Sequence, residues 1–350
     1  MNHIPECMFH SRSLACKKPP PVFWNLQSKF YFMRAAARQT GICPAQFNGL
    51  YVQSEILMKR RRGNLSPFLQ QKQQNTERSS MAEHFYYSIA SGSTGNCGLY
   101  VSGGTAILID VGVSLRRLTA ALKTFGMTPG ELDALVITHE HIDHVKGLAM
   151  FVKKTEVPVF ASCGTVSALY AKEAAFEGRL TAFESGEAFS VGDISVRSFA
   201  TPHDAADSVG YILESDGYRF GFATDLGFVP QSAAALLRGC ETVVLESNHD
   251  PYMLQAGPYP YALKQRVAGP NGHLSNPDCA VFAAALADSG TKRLILAHLS
   301  EKNNMPALAL QQTKNALHGR EHCTVCVAPR DCMEAPVVLT EEETVCLVSG

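Results

Sequence analysis

Short apolar runs alternate with stretches of helical spacing between about residue 85 and residue 317 of the chain. Apolar runs rich in β-branched residues predict buried strands, and apolar residues three or four apart predict helices. Strands are predicted at 85–89, 97–102, 105–110, 134–137, 158–160, near 180 and 190, and at 194–199, 208–214, 218–223, 242–246 and 293–297. Helices are predicted at 114–125, 145–152, 165–174, 276–288 and 307–317, with a loop-rich stretch between 250 and 276. This alternation predicts an α/β fold.

Five of the predicted strands run into a histidine or an aspartate, as at Asp110, Asp225 and His298. Because open α/β sheets bind ligands beyond their strand ends, one shared site is the simplest explanation. Asp110 ends an apolar strand, where a carboxylate is poorly solvated. We therefore expect it to accept hydrogen bonds from backbone N–H groups and to support the residues of that site.

The central motif is Thr-His-Glu-His-Ile-Asp-His at residues 138–144, directly after an apolar strand. His139 and His141 are two positions apart at a strand end, so they point to the same side. Asp143 and His144 then belong to the N-terminus of the helix predicted next. Solvated polar residues are the alternative interpretation, but four ligand-type side chains in six positions favour a loop that serves two metal ions.

The strand-end residues complete the ligand set. We expect one metal ion to bind His139, His141 and His203, a second to bind Asp143, His144 and His298, and Asp225 to bridge the two. Open positions on both ions predict a catalytic site. Two ions about 3.5–4 Å apart can share a hydroxide nucleophile. Imidazole and carboxylate donors suit Zn²⁺ best, with Mn²⁺ and Fe²⁺ as alternatives.

The two parts of the chain carry opposite net charges. Residues 1–80 hold twelve Lys or Arg and three Glu, whereas residues 81–350 carry a net charge of −10. The leading segment also contains three consecutive prolines and a Gln-rich run, and we expect it to be disordered. It is interpretable as a nucleic-acid-binding arm, as a targeting peptide, or as translated upstream sequence before a working protein that starts at Met81. We favour the last, with residues 81–350 as the hydrolase domain.

Cysteine usage and hydropathy bear on the compartment. The eleven cysteines are scattered and odd in number, which fits reduced thiols in a cytoplasmic protein. The pair Cys323 and Cys326 is a weak zinc motif by itself, and we expect a buried strand there. No run of eighteen apolar residues occurs, so no membrane span is predicted.

The central motif, together with the separated His, Asp and His that follow it, resembles the metallo-β-lactamase superfamily. The resemblance covers about residues 85–320 and implies an αββα sandwich with a dinuclear site at one edge. Asp225 stands where the β-lactamases commonly have cysteine, so the hydrolytic and nuclease branches fit better. Three segments are similar to the YycJ (WalJ) group, described as DNA exonucleases: Ala-Ser-Gly-Ser-Thr-Gly-Asn-Cys at 90–97, Glu-Ser-Asn-His-Asp at 246–250 and Gly-His-Leu-Ser-Asn at 272–276.

That resemblance implies a phosphodiesterase acting on DNA, from a 5′ end, in which a metal-bridging hydroxide is the nucleophile. The segment around His273 also resembles RNase Z, which implies that His273 protonates the leaving group or clamps the phosphate; an N-capping loop before the helix at 276–288 is the alternative. We assign Asp143 a catalytic as well as a ligand role. We expect His249 to support the ligands or contact the substrate. Predicted substrate contacts are Lys264, Arg266 and Ser275, although the first two also suit a solvated helix face.

Three other functions compete. A phosphodiesterase for small cyclic or nucleotide phosphates would use the same site. The net negative charge of residues 81–350 also disfavours a nucleic-acid substrate, because phosphate polymers bind through Lys and Arg. A glyoxalase-type thioester hydrolase shares all seven ligands but not the segment around His273. A non-catalytic binding module is disfavoured by the complete ligand set. The Gly- and Ser-rich loop at 90–96 is either a phosphate-facing loop or a tight hairpin turn. The sequence indicates no particular protein partner.

Overall fold

The computed structural model of the chain describes residues 84–339, and this part contains fourteen β-strands and nine α-helices. The strands are β1 (Phe85–Ala90), β2 (Cys97–Ser102), β3 (Thr105–Ile109), β4 (Ala134–Val136), β5 (Val159–Ser162), β6 (Leu180–Phe183), β7 (Ala188–Val191), β8 (Ile194–Ala200), β9 (Val209–Ser215), β10 (Tyr218–Ala223), β11 (Thr242–Glu246), β12 (Arg293–Ala297), β13 (Thr324–Val327) and β14 (Val337–Val338). The helices are α1 (Leu115–Lys123), α2 (Ile142–Val145), α3 (Leu148–Lys154), α4 (Cys163–Lys172), α5 (Gln231–Leu237), α6 (Pro251–Ala256), α7 (Tyr261–Val267), α8 (Asn276–Asp288) and α9 (Pro306–Ala316). Short 3₁₀ turns lie at Pro129–Glu131 and Ala174–Phe176.

The strands form two seven-stranded mixed sheets. The first has the order β14-β1-β2-β3-β4-β5-β6, and the second has the order β13-β12-β11-β10-β9-β8-β7. Strands β3 to β6 pair in parallel, as do β10 to β13, whereas the remaining pairs are antiparallel. Parallel strands bring several carboxyl ends to the same edge of a sheet, which is where the predicted site residues lie.

Alternating side chains show how the layers stack. In the first sheet the ring of Tyr86 packs on Phe220 of the second sheet, with ring centroids 5.2 Å apart, whereas its neighbours Phe85 and Tyr87 pack on Phe125, just after α1. In the second sheet Val244 joins the core between the sheets, and residues on either side of it pack against α5, α8 and α9. Each sheet therefore has one face on the other sheet and one face on helices, as period-two alternation requires. The predicted αββα sandwich is confirmed.

Three local predictions were wrong. The loop-rich stretch between 250 and 276 contains the short helices α6 and α7. The single helix predicted at 145–152 is two helices, α2 and α3, interrupted at Gly147, where a Cβ would lie 2.1 Å from the carbonyl oxygen of Val113. The strand containing Cys326 exists, but it is the partly exposed edge strand β13 and not a buried one.

The predicted leader at 1–80 lies outside the described residues. Within residues 84–339, no helix is both long and apolar enough to cross a membrane. The seven cysteines in this part of the chain are all free of disulfide bonds.

Candidate metal centre

Six strand ends converge on one cluster of histidines and carboxylates. The residues come from the segments after β3, β4, β8, β10 and β12 and from the last position of β11: Asp110, His139, His203, Asp225, His298 and Glu246. Three of them, Asp110, Asp225 and His298, have φ angles of 59°, 58° and 56°. Non-glycine residues seldom adopt this left-handed conformation, and such strain concentrates at functional sites. The chain thus turns sharply after three strands and aims the side chains into one centre.

Two groups of candidate ligand atoms lie side by side. His139, His141 and His203 form the first group, with all three ligand atoms within 4.8 Å of one another. The Nε2 atom of His203 is 3.2 Å from Nδ1 of His141. Asp143, His144 and His298 form the second group, in which Oδ2 of Asp143 is 3.5 Å from Nε2 of each histidine. The structure therefore brings together the two predicted ligand sets in the predicted grouping.

Asp225 lies between these two groups. One carboxylate oxygen is 3.3 Å from Nε2 of His144, and the other is 3.8 Å from Nε2 of His203 and 3.4 Å from Nδ1 of His298. Its side chain is 2% exposed, so little water reaches its charge. A buried carboxylate whose oxygens lie within 3.8 Å of histidines from both groups is suited to bridge two cations.

Hydrogen bonds set the direction of the histidine rings. Nδ1 of His144 bonds Asp110 at 2.7 Å, Nδ1 of His203 bonds the Gly272 carbonyl at 3.0 Å, and Nδ1 of His298 bonds Glu246 at 2.8 Å. In each ring Nδ1 thereby donates to an oxygen, and Nε2 is the nitrogen that faces the centre. This arrangement of a ring N–H on a carboxylate or carbonyl is typical of histidines that bind metal ions.

Unpartnered buried atoms test whether metal ions fit here. Nε2 of His139, Nε2 of His298 and Oδ2 of Asp225 are buried and have no hydrogen-bond partner. Buried polar atoms are almost always satisfied, so three such atoms within one cluster of histidines and carboxylates favour a bound ligand. Imidazole and carboxylate donors are those that divalent metal ions take. The residues present fit divalent metal ions.

Asp110 and Asn96 support the candidate ligands through hydrogen bonds. The fully buried carboxylate of Asp110 accepts from the backbone N–H and the hydroxyl of Thr138, both at 2.8 Å, in addition to His144. The Asn96 side-chain nitrogen is 2.9 Å from Nε2 of His144 and 3.3 Å from Asp143. Asn96 belongs to the loop at 90–96, which joins the antiparallel strands β1 and β2 as a hairpin turn and also contacts the site. In the same loop Ser91 accepts the backbone N–H of His298 at 2.8 Å.

Glu246 is a site residue that the sequence analysis missed. Its side chain is fully buried, and Oε1 accepts Nδ1–H of both His298 and His273 at 2.8 Å. Oε2 accepts the backbone N–H groups of Leu226 and Leu274 at 2.9 and 3.2 Å. One carboxylate thus connects a candidate metal ligand to His273, which is 20% exposed and faces the opening of the site.

The charges of the cluster shift its pKa values. Burial lowers the pKa of His144, but the charges of Asp225 and Asp110 outweigh burial and raise that pKa to about 9. Burial also lowers the pKa of His298, but the neighbouring carboxylates of Asp225, Asp143 and Glu246 outweigh burial and raise that pKa well above its ordinary value. The pKa of His139 is well below its ordinary value because of burial and because of the neighbouring histidines. Without bound metal, the rings of His144 and His298 therefore keep a proton to higher pH than an ordinary histidine does.

The remaining predicted site residues lie around this centre. The guanidinium of Arg266 makes a bidentate pair with Asp204, through Nε and, at 3.1 Å, through Nη2. Lys264 donates to the Gln255 carbonyl at 2.6 Å. Ser275 caps α8, accepting from the N–H of Asp278 at 3.2 Å and donating to its carboxylate at 2.6 Å. Capping accounts for this hydroxyl, so the predicted substrate contact of Ser275 has no support.

His249 is buried, and its main chain bridges to Ser275. Its Nδ1 atom has no partner, and burial lowers the pKa of its ring. No hydrogen bond joins this ring to a candidate ligand among the described residues. A supporting or substrate-contacting role for His249 stays a prediction.

Metal binding to chelator-treated protein is expected to tighten as the pH rises from about 6.5 to about 9, because the ring of His144 must lose its proton to bind. Each displaced proton changes the apparent affinity about tenfold per pH unit. The raised pKa stabilises the metal-free fold fully below pH 6.5, and this contribution is lost as the pH rises through about 9. Calorimetric titration with Zn²⁺ in buffers of different ionisation enthalpy measures the protons released near neutral pH. An affinity that does not depend on pH, without proton release, would contradict the assignment of His144.

Comparison with known proteins gives a consistent result. A sequence model described as the Beta-lactamase superfamily domain matches residues 105–299. Exodeoxyribonuclease YycJ of Bacillus anthracis is 35% identical over 243 residues, which cover 68% of this chain and 90% of that protein. Exodeoxyribonuclease WalJ of Streptococcus pneumoniae serotype 2 is 34% identical over 239 residues, which cover 67% and 88%. The crystal structure of Zn²⁺-bound PqqB from Methylobacterium extorquens has a TM-score of 0.56 and 16% identity, covering 72% of this chain and 100% of that one. That likeness concerns the fold alone.

Proposed function

The chain belongs to the metallo-β-lactamase superfamily and, within it, to the YycJ/WalJ group, and from this premise we propose that it is a DNA exonuclease with a dinuclear metal centre. It is a hydrolase of a fold that implies divalent metal ions. The observation that supports two ions is the position of Asp225, whose carboxylate lies within 3.8 Å of a histidine from each group of candidate ligands, His203 in the first and His144 in the second. We assign one ion to His139, His141 and His203, the second to Asp143, His144 and His298, and the bridge to Asp225. Zn²⁺ is the ion that this donor set favours.

When bound, the ions supply Lewis-acid stabilisation of the phosphate charge and make water a nucleophile at neutral pH. The protein residues supply orientation and a proton. Glu246 holds Nδ1–H of His273, so Nε2 is the atom that faces outward, and we assign it the proton that the departing oxygen takes up. Asp110 and Glu246 keep the rings of His144 and His298 in the tautomer that binds metal. Asp143 holds the second ion at the more accessible side of the site, where its carboxylate is 19% exposed.

Relatives named as exodeoxyribonucleases support a DNA substrate. The net negative charge of residues 81–350 repels a polyanion, so contacts with DNA have to be confined to a small part of the surface. Arg266, which is 55% exposed and paired with Asp204 next to His203, is the cation that we assign to the phosphate backbone. We further propose that residues 81–350 form the working domain and that the protein acts in the cytoplasm, where its free cysteines remain reduced.

A substrate panel tests the proposal. Purified metal-loaded protein is expected to release nucleotides from end-labelled DNA, to cleave bis-p-nitrophenyl phosphate slowly, and to leave a glutathione thioester intact. The same protein beginning at Met81 should retain this activity. Cleavage of the small phosphodiester without DNA would point to a small-molecule phosphodiesterase, and thioester cleavage alone would point to a glyoxalase-type enzyme. Either result would overturn the exonuclease assignment, and cell fractionation tests the compartment.

A further inference from the structure

Within residues 81–350, which carry a net charge of −10, one segment contains no acidic residue. Residues 81–350 contain twenty-nine Asp and Glu, yet none lies between Pro251 and Pro277. The same segment contains Lys264, Arg266 and three tyrosines. It comprises α6, α7 and the turn that leads to His273. A segment without acidic residues, within the acidic residues 81–350, is thus directly connected to the candidate general acid.

Two large aromatic side chains of this segment face solvent. Tyr252 on α6 is 82% exposed and Tyr261 on α7 is 77% exposed, the highest values among the exposed large hydrophobic residues of the described part of the chain. Exposed tyrosines combined with cations are typical of surfaces that bind single-stranded nucleic acid, where bases stack on aromatic rings. Isolated exposed apolar residues are common, but these two tyrosines lie nine residues apart on consecutive short helices that the bond from Lys264 to the Gln255 carbonyl joins.

The segment is fixed to the site and is not a mobile loop. The backbone N–H of His273 donates to the carbonyl of Val267 at the end of α7, at 2.9 Å. A Cβ at Gly272 would lie 2.2 Å from the carbonyl oxygen of Arg266, so the turn is packed directly on α7. Lys264 bridges the two helices through its bond to the Gln255 carbonyl of α6. The tyrosines therefore have a defined position relative to the metal centre.

Arg266 connects this surface to the ligands. Asp204 takes the Nε and Nη2 edge of the guanidinium, and Oδ1 of Asp204 is 3.5 Å from Nε2 of His203. Nη1 of Arg266 makes no hydrogen bond within the described residues. The guanidinium that Asp204 binds therefore has N–H donors left for an anion. Tyr261 is five residues from Arg266, about 7–8 Å along the axis of α7. That distance is on the scale of one nucleotide of an extended strand.

We propose that the α6–α7 surface, defined by Tyr252, Tyr261, Lys264 and Arg266, binds the DNA strand being degraded. Unpaired bases next to the scissile phosphate stack on Tyr261 and then on Tyr252, while Arg266 contacts the phosphate backbone at the opening of the site. This inference rests on the proposed function and explains how an acidic hydrolase binds a polyanion: contact is confined to the acid-free segment, and stacking supplies affinity that does not depend on net charge.

Kinetics with matched substrates test the assignment. In the metal-loaded full-length protein, Tyr261→Ala and Tyr252→Ala are each expected to raise KM for a single-stranded oligodeoxynucleotide by about tenfold, the loss of one stacked base. We expect kcat to change little. Tyr261→Phe should retain the parental KM because the ring remains. Val281→Ala removes an equally exposed apolar side chain, 72% exposed on α8 and outside the segment, and should have no effect.

A second measurement separates stacking from general damage. An oligonucleotide with an abasic residue at the stacked position should be a poor substrate for the parent protein and should abolish the difference between parent and Tyr261→Ala. Hydrolysis of bis-p-nitrophenyl phosphate should be equal in all variants. If the parent degrades DNA and both alanine variants keep its KM within twofold, this inference is wrong and the proposed function stands. A parent that degrades no oligonucleotide would overturn both. Equal losses on the small substrate would mean that the tyrosines support the site and do not bind the strand.

Discussion

Asp225→Asn is expected to remove bound metal from the protein and to lower hydrolysis of every phosphodiester substrate by more than the ~10²–10³-fold that loss of one electrostatic donor costs. The side chain keeps its shape but loses the charge that lies 3.3 Å from His144 and 3.4 Å from His298. Asparagine tolerates the φ angle of 58° at this position better than most residues do, so the backbone should not change. Metal content by mass spectrometry and turnover of bis-p-nitrophenyl phosphate are the two measurements.

Asp216 supplies a matched control for this substitution. It has a φ angle of 51°, and it lies exposed in the turn between β9 and β10. Asp216→Asn makes the same chemical change in the same backbone conformation, and it should leave metal content and turnover unaltered. If Asp225→Asn retained its full metal content and its activity, a bridging role for Asp225 would be untenable.

The positions of the central strands along the chain and the sharing of one site were predictable because both depend on local signals. Apolar runs of four to seven residues mark each central strand, and polar residues directly after them mark the sheet edge. Asp225 and His298 illustrate this: each follows an apolar run by one or two positions, and parallel pairing of β10, β11 and β12 then brings their ends together. Their ligand roles remain predictions until metal binding is measured.

Helices α6 and α7 could not be predicted from periodicity. They have six and seven residues, too short to show an apolar period, and isolated helices of this length are marginal in water. Flanking prolines also indicate a loop. Tertiary contacts and caps stabilise them instead, as where Asp250 accepts the N–H groups of Tyr252 and Met253.

Glu246 could have been found by the reasoning applied to Asp110, because both are carboxylates that end apolar strands. Its role could not have been predicted, because its hydrogen bonds reach His273 and His298, which lie 27 and 52 positions away in the sequence. The pair of Arg266 with Asp204 is of the same kind, 62 positions apart. Such contacts depend on how loops from different strands meet, and no sequence period records them.

His273→Ala is expected to slow cleavage of oligodeoxynucleotides by about 10²–10³-fold, the range of a general acid, while metal content stays normal. The reason is the leaving group: a sugar oxygen needs a proton as it departs, whereas p-nitrophenolate does not, so bis-p-nitrophenyl phosphate should lose less than about tenfold. His84→Ala is the matched control, since it removes a buried ring that bonds Ser102 and no candidate ligand, and it should leave the ratio between the two substrates unchanged. The ligand atoms of Asp225, Glu246, His273 and His298 lie within 4.8 Å of one another, so metal binding by His273 is the competing role. Loss of metal in His273→Ala would establish that role, and equal losses on both substrates would show that His273 acts on the phosphate and not on the departing oxygen.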